Sequence, residues 1–295
     1  NVLGVDFALT LQRGPSKVEI FFRKQKTEKL PELLRPGILN EEYFVSKIND
    51  QIQTPIAYLT CNFTPPTSTE PSLLSHDDVT TLFHEFGHGL QHMLTKIDYL
   101  GVSGINGVEW DAVELPSQFM ENWCWEQEAL ALISAHYQTG EPLPDTLFNK
   151  MLAAKNFQAG MMTVRQLEFS LFDFRIHKDY DPEKGARIYP ILEQVRAQVA
   201  VINPPKFNRF AHSFSHIFAG GYAAGYYSYK WAEVLSSDAF SLFEEKGIFN
   251  QETGKLFLTT ILETGGSEDA MALFIKFRGR KPTIDALLKH NGIAA

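Results

Sequence analysis

Residues 84–88 read His-Glu-Phe-Gly-His, inside a segment whose spacing leaves room for little but a buried helix. Val79, Leu82, Phe83, Phe86, Leu90, Met93 and Leu94 recur at steps of three and four, the spacing of one helical face. Ser75 stands where an N-cap is needed, and Asp77 and Asp78 bring negative charge to the first turn. On such a helix His84 and His88 lie one turn apart on a common face, so their imidazoles can converge on one ion. Glu85 follows the first histidine and stands beside that ion without being forced to ligate it. In this pattern two histidines bind Zn²⁺ and the glutamate handles the proton of a water molecule. The competing reading is a pair of core histidines with partners of their own. On so apolar a helix unpaired imidazoles are costly, and zinc is the favoured reading.

A catalytic zinc usually has three protein ligands and one open position. The version with a third histidine on the same motif needs glycine at the position of Gln91 and histidine at that of Leu94, so it is excluded. His92 stands a turn beyond His88, but three successive turns of a straight helix diverge from one ion. It reads as a surface histidine or one lying behind the ligands. The carboxylates downstream are Glu109, Asp111, Glu114, Glu121, Glu126 and Glu128. Glu114 precedes Leu115-Pro116, and proline is tolerated in the first turn of a helix. Glu114, Gln118, Glu121 and Trp125 then form a stripe on a helix otherwise carrying Leu115, Phe119, Met120, Trp123 and Cys124. Acids facing inward need a cation or donors. A metal beside Glu114 meets that need, and Glu121 can accept a hydrogen bond from a ligating imidazole. An exposed acidic face is the alternative.

Composition sets the class of chain. Its 295 residues suffice for one large domain or two small ones, and 44% hydrophobic with 21% charged residues is ordinary for a soluble globular protein. The net charge of −8, without any run of Lys and Arg, argues against nucleic acid and against an anionic membrane surface. Two cysteines, Cys61 and Cys124, are too few for a disulfide framework and suggest reduced thiols in a cytoplasmic setting. No apolar run approaches a membrane span, and the start lacks the features of a signal peptide. The chain begins with Asn1 rather than Met, as expected of a fragment or a processed product.

Along the chain, Val2–Leu11 and Val18–Phe22 look like strands split by Gly14-Pro15, and Glu41–Ile52 suggests a short helix. Pro55–Phe63 alternates as a strand. From about Asp111 the pattern is helical almost to the end, with Asn250 and Ser267 as N-caps of late helices. Near the end of this run, His212, His216, Tyr222, Tyr226, Tyr227 and Tyr229 crowd around Gly220, Gly221 and Gly225. Glycines let a backbone come close to a ligand, and tyrosine hydroxyls and neutral imidazoles suit a developing oxyanion. The same segment also fits an amphipathic aromatic core.

Three segments together resemble the thimet oligopeptidase family of zinc peptidases: His84-Glu-Phe-Gly-His88, Trp110-Asp-Ala-Val-Glu114-Leu-Pro-Ser-Gln-Phe-Met-Glu121-Asn-Trp, and His216-Ile-Phe-Ala-Gly-Gly-Tyr222-Ala-Ala-Gly-Tyr226-Tyr-Ser-Tyr229. The similarity runs from about Pro55 to the end. It implies a mainly α (α+β) fold, a zincin-like helical metallopeptidase domain with a small β-sheet near its N-terminal end. That domain would occupy residues 55–295, after a poorly matched segment 1–54. The implied activity is cleavage of internal bonds in short, unstructured peptides, with one Zn²⁺ on His84, His88 and Glu114 and Glu85 as general base. The resemblance puts Glu121 behind a ligating histidine, gives His216, Tyr222 and Tyr229 catalytic roles, and makes Tyr226 a substrate-binding residue. Members of the family are considerably longer, and an N-terminal helical half forms the opposite wall of their channel. The expectation is therefore a missing N-terminal half or a partner chain. Release of dipeptides, or a peptide-binding remnant without activity, are the alternatives that this resemblance leaves open.

Overall fold

The computed structural model describes residues 71–294 without a break and, ahead of them, residues 7–13, 18–24, 46–48, 51–53, 55, 57–61, 63 and 67–69. The expected turn at Gly14-Pro15 lies outside the described residues. The described early segments run as strands: β1 (Phe7–Arg13), β2 (Val18–Lys24), β3 (Ser46–Ile48), β4 (Gln51–Gln53) and β5 (Ala57–Cys61). β2 pairs antiparallel with both β1 and β5, so that Phe21 stands opposite Tyr58. β3 and β4 pair with each other, Lys47 opposite Ile52, where a helix over Glu41–Ile52 was expected. Asn49-Asp50 between them is a pair of turn formers, and the β-branched Ile48 and Ile52 favour a pleat over a helix.

Everything after residue 71 is helical or loop. The helices are α1 (His76–Leu94), α2 (Leu115–Glu121), α3 (Gln127–Ile133), α4 (Asp145–Lys155), α5 (Ala159–Lys178) and α6 (Ile188–Val199). Then follow α7 (Phe210–Ser213), α8 (Ser215–Phe218), α9 (Ser228–Lys246), α10 (Gln251–Phe257), α11 (Ala270–Arg278) and α12 (Asp285–His290). The chain is thus mainly helical. No helix among the described residues is long and apolar enough to cross a membrane.

α1 starts where the sequence says it should. Ser75 Oγ accepts from the Asp78 amide at 3.2 Å, and Asp78 Oδ2 accepts from the Ser75 amide at 2.9 Å. This reciprocal box satisfies two amides that a helix start otherwise leaves bare, an effect of about 1 kcal/mol. α2 begins at Leu115, after turns through residues 111–114, so Glu114 occupies its N-cap position rather than its first turn. Asn250 caps α10 through the Thr253 amide, as expected. Ser267 does not cap α11; it ends the 3-10 turn Gly265–Ser267, and Asp269 accepts from the Ala272 amide instead. His92 is buried rather than at the surface, because the loop after α1 folds back until Gly104 lies against its backbone.

Two apolar cores flank the middle of the molecule. In the first, Phe119 of α2 stacks on Phe257 of α10 with centroids 4.0 Å apart, and Trp123, Phe240 and Phe243 close around it. Leu90 and Leu94 of α1 join the same core. Truncating a ring buried this completely costs about 3–5 kcal/mol. The second core joins α5, α6, α7 and α8 through Phe172, Leu192, Val195, Ala211 and Ile217, with Phe214 and Tyr226 packed among them.

α1 and α2 meet backbone to backbone at Gly87. A Cβ added at Gly87 would lie 2.5 Å from Ser117 Cα and would run into the Pro116 carbonyl. Both obstacles are backbone, so no rotamer change relieves them. Gly87→Ala is therefore expected to push the helices apart at a cost of about 1–3 kcal/mol or more. Urea denaturation reads that loss; an unchanged midpoint would mean that the helices do not cross this closely.

Candidate metal centre

The close crossing at Gly87 brings the N-cap residue of α2 onto the histidine face of α1. Glu114 Oε2 lies 3.3 Å from His84 Nε2 and 3.2 Å from His88 Nε2. The three donor atoms fall within 4.8 Å of one another, and this is the one such group found among the described residues. Glu114 is buried, with 5% of its surface exposed, and every oxygen is used. Ser117 Oγ, one turn along α2, donates to Oε2 at 2.8 Å, and Tyr222 Oη donates to Oε1 at 2.8 Å. Behind the pair, His84 Nδ1 and Glu121 Oε1 are 2.6 Å apart. That contact leaves Nε2 of His84 turned toward Glu114 and His88. The rear nitrogen of His88, by contrast, is buried with no hydrogen-bond partner among the described residues.

The electrostatics follow from this crowding. Burial alone would lower the pKa of His84, but the carboxylates of Glu114 and Glu121 outweigh it and raise the value to about 10. Burial alone would raise that of Glu114, yet His84, His88 and Tyr222 hold its carboxyl well below the usual range. The pocket therefore demands positive charge. Two imidazole nitrogens and one carboxylate oxygen, facing one point, are the N/O donor set that suits a divalent ion of the zinc kind. The residues present fit the ion.

Glu85, half-buried, follows the first of these histidines. The tyrosine segment supplies the opposite side. Tyr222 and Tyr229 stack with centroids 4.7 Å apart, and the ring of His216 lies 6.3 Å from the first and 6.0 Å from the second. Burial pushes the hydroxyls of both tyrosines above their ordinary pKa, so they remain donors at neutral pH. Tyr226 faces differently: its ring belongs to the second core and its hydroxyl donates to Gln166 Oε1 at 3.0 Å. Tyr227 donates to Asp111 Oδ2. His212 pairs with Tyr189, away from this group.

Four contributors escape a reading of the sequence. Gly87 is needed for its missing side chain, which carries no chemical signal until its neighbour is known. Ser117 lies three residues after Glu114, a spacing that could have marked it. Trp110 packs edge-on to Tyr222 at 5.0 Å and fills the space that a side chain at Gly225 would need. Asp173 on α5 accepts from the amides of Ala224 and Tyr226, and nothing near it in sequence points there.

The geometry agrees with what known proteins of similar sequence suggest. The family model described as "Peptidase family M3" matches residues 23–293. Oligopeptidase A of Salmonella typhimurium is 64% identical over 247 residues, which cover 84% of this chain and 36% of that protein. A probable cytosolic oligopeptidase A of Arabidopsis thaliana is 49% identical over 274 residues, 90% of this chain and 39% of its own length. Dipeptidyl carboxypeptidase of Escherichia coli is 38% identical over 244 residues, 81% of this chain and 35% of its own. The chain thus spans between a third and two fifths of the length of these relatives. Because the family match takes in both helices of the histidine–glutamate cluster and the tyrosine segment facing it, the chain belongs to peptidase family M3.

Proposed function

We propose that this chain carries the active site of a zinc-dependent endopeptidase that cleaves short, unstructured peptides at internal bonds. The observation that carries the proposal is the convergence of His84, His88 and Glu114 with Glu85 alongside. Family membership supports it, since a metal, typically zinc, is implied there. The higher identity to proteins named oligopeptidase A than to one named dipeptidyl carboxypeptidase favours internal cleavage over release of dipeptides.

In this reading His84, His88 and Glu114 hold the ion, which supplies Lewis acidity that brings the pKa of water to about 7 and polarises a carbonyl. Glu85 takes the proton of the attacking water and returns it to the leaving amine. Glu121 fixes the ring of His84, a support on which ligand basicity depends. Tyr222 orients Glu114 through its hydroxyl. Tyr229 and His216 donate to the oxygen that gains negative charge as the carbonyl is attacked. Tyr226 contributes to the substrate side through its place in the wall behind Tyr229, its hydroxyl being engaged by Gln166.

The catalytic unit is assigned to residues 55–295, of whose described strands β5 lies against α1. Support comes from Ala57 and Leu59, buried where Gly89 of α1 passes close to both. β5 ends the order β1-β2-β5, so among the described residues it is an edge to which an extended peptide can add. Peptides are the expected partners, together with whatever forms the remaining wall of the channel.

Glu85→Gln is expected to keep its zinc and to lose about 10²- to 10⁴-fold in turnover, the usual worth of a positioned base; a quenched fluorescent peptide and a metal analysis read the two, and retained turnover would move the base elsewhere. Glu114→Ala is expected to release metal on dialysis, and a full complement of zinc would refute the ligand set. For Tyr229→Phe, kcat is expected to fall about 10²-fold while KM changes little, since the lost donor acts on the transition state. An unaltered kcat would leave Tyr229 a packing residue. Product analysis with a C-terminally blocked peptide separates the modes: internal cleavage tolerates the block, whereas dipeptide release does not. Zinc without hydrolysis of either peptide would favour the binding remnant.

A further inference from the structure

The loop from Gly220 to Tyr229 has a problem of its own. It must keep Tyr222 on Glu114 and Tyr229 stacked on Tyr222, yet three glycines loosen its backbone. Ala224 moreover sits at φ +57°, in the left-handed region that side chains seldom adopt. Such a conformation persists only where the surroundings over-determine it.

One side chain holds the backbone amides at this point. Asp173, in the C-terminal part of α5, is 1% exposed. Its Oδ1 accepts from the Ala224 amide at 2.9 Å, and its Oδ2 accepts from the Tyr226 amide at 2.9 Å. The two oxygens thus clasp the backbone on both sides of Gly225. On the other face of the loop, Trp110 occupies the space over Gly225 and Gly221. His177, one turn along α5, has its Nδ1 2.8 Å from the Asp173 backbone carbonyl and 3.1 Å from Oδ1. A buried carboxylate whose oxygens receive backbone amides holds them more firmly than a neutral acceptor would.

We infer that Asp173 is a positioning residue for the reaction: it sets Tyr222 and Tyr229 in register with Glu114 by clamping the loop between them. Asp173 touches neither substrate nor metal ligands and works through the backbone at Ala224 and Tyr226. The inference rests on the reading that these tyrosines serve catalysis, but the clamp itself is measurable without it.

The test is Asp173→Asn in the full chain, which keeps the volume and presents an NH₂ to one of the two amides. Hydrogen exchange at residues 224 and 226 is expected to quicken about tenfold or more. With peptide substrate, kcat is expected to fall at least about tenfold while KM stays within a few-fold, because a small misplacement of catalytic groups is felt in the transition state. Zinc content is expected to stay constant. Glu168→Gln on the same helix is the comparison: Glu168 pairs with Arg165 and Arg196 and does not touch the loop, so its exchange at 224 and 226 should remain slow. Exchange that is unchanged in Asp173→Asn, or equally fast in Glu168→Gln, overturns the clamp. An intact kcat beside fast exchange overturns the positioning role, and a variant that does not fold assigns Asp173 to stability alone. Should the unsubstituted protein fail to cleave peptides, the peptidase reading falls while the exchange result still decides the clamp.

Discussion

The chemistry of this molecule depends on a contact in which no side chain takes part. At Gly87 the backbone of α1 lies directly on that of α2, with the Pro116 carbonyl and Ser117 Cα in the space a Cβ would fill. Helices packed through ordinary side chains stand some 8–10 Å apart, and α2 would then carry Glu114 out of reach of the imidazoles. The glycine is thus as necessary to the donor set as the histidines flanking it. Pro116 has a matching part. It forms the second position of α2, where its missing amide costs nothing, and it lets Glu114 turn inward from the N-cap position.

Charge then follows from geometry. The cluster of Glu114, Glu121, His84 and His88 carries two carboxylates in a largely desolvated place, and without compensation it would be costly. Hydrogen bonds from Ser117 and Tyr222 take up part of the negative charge of Glu114, and His84 answers by holding a proton more tightly than usual. A cation in the same position would serve in place of that proton. The arrangement that makes the cluster unusual is the one that makes it a good host.

Much of this was legible in the residues, and the limits have physical causes. The N-cap at Ser75 and the apolar face of α1 agree with each other, and local signals that agree are seldom wrong. Glu114 and Glu121 could be found because seven positions is two turns, a regularity visible without coordinates. Partners that meet only through tertiary folding were not legible: Gly87 against Ser117, Trp110 over Gly225, Asp173 beneath Ala224. For His92 the residues allow either a surface place or one behind the ligands, and burial by the returning loop at Gly104 is a tertiary event that no local spacing announces. Ser267 and Asp269 are both good caps two residues apart, and only the turn at Gly265–Ser267 decides between them. The paired strands β3 and β4 lie where a helix was expected, since so short a stretch holds too few residues to reveal its period.

The division into two cores has an evolutionary consequence. Ion-holding side chains are borne by the body built around Phe119, while the loop of tyrosines is tied to the body built around Phe172. The Tyr222 hydroxyl on Glu114 and the Gln118 amide on the Tyr229 carbonyl stitch the two together, so a substitution that shifts one body against the other is exposed to selection first at this seam.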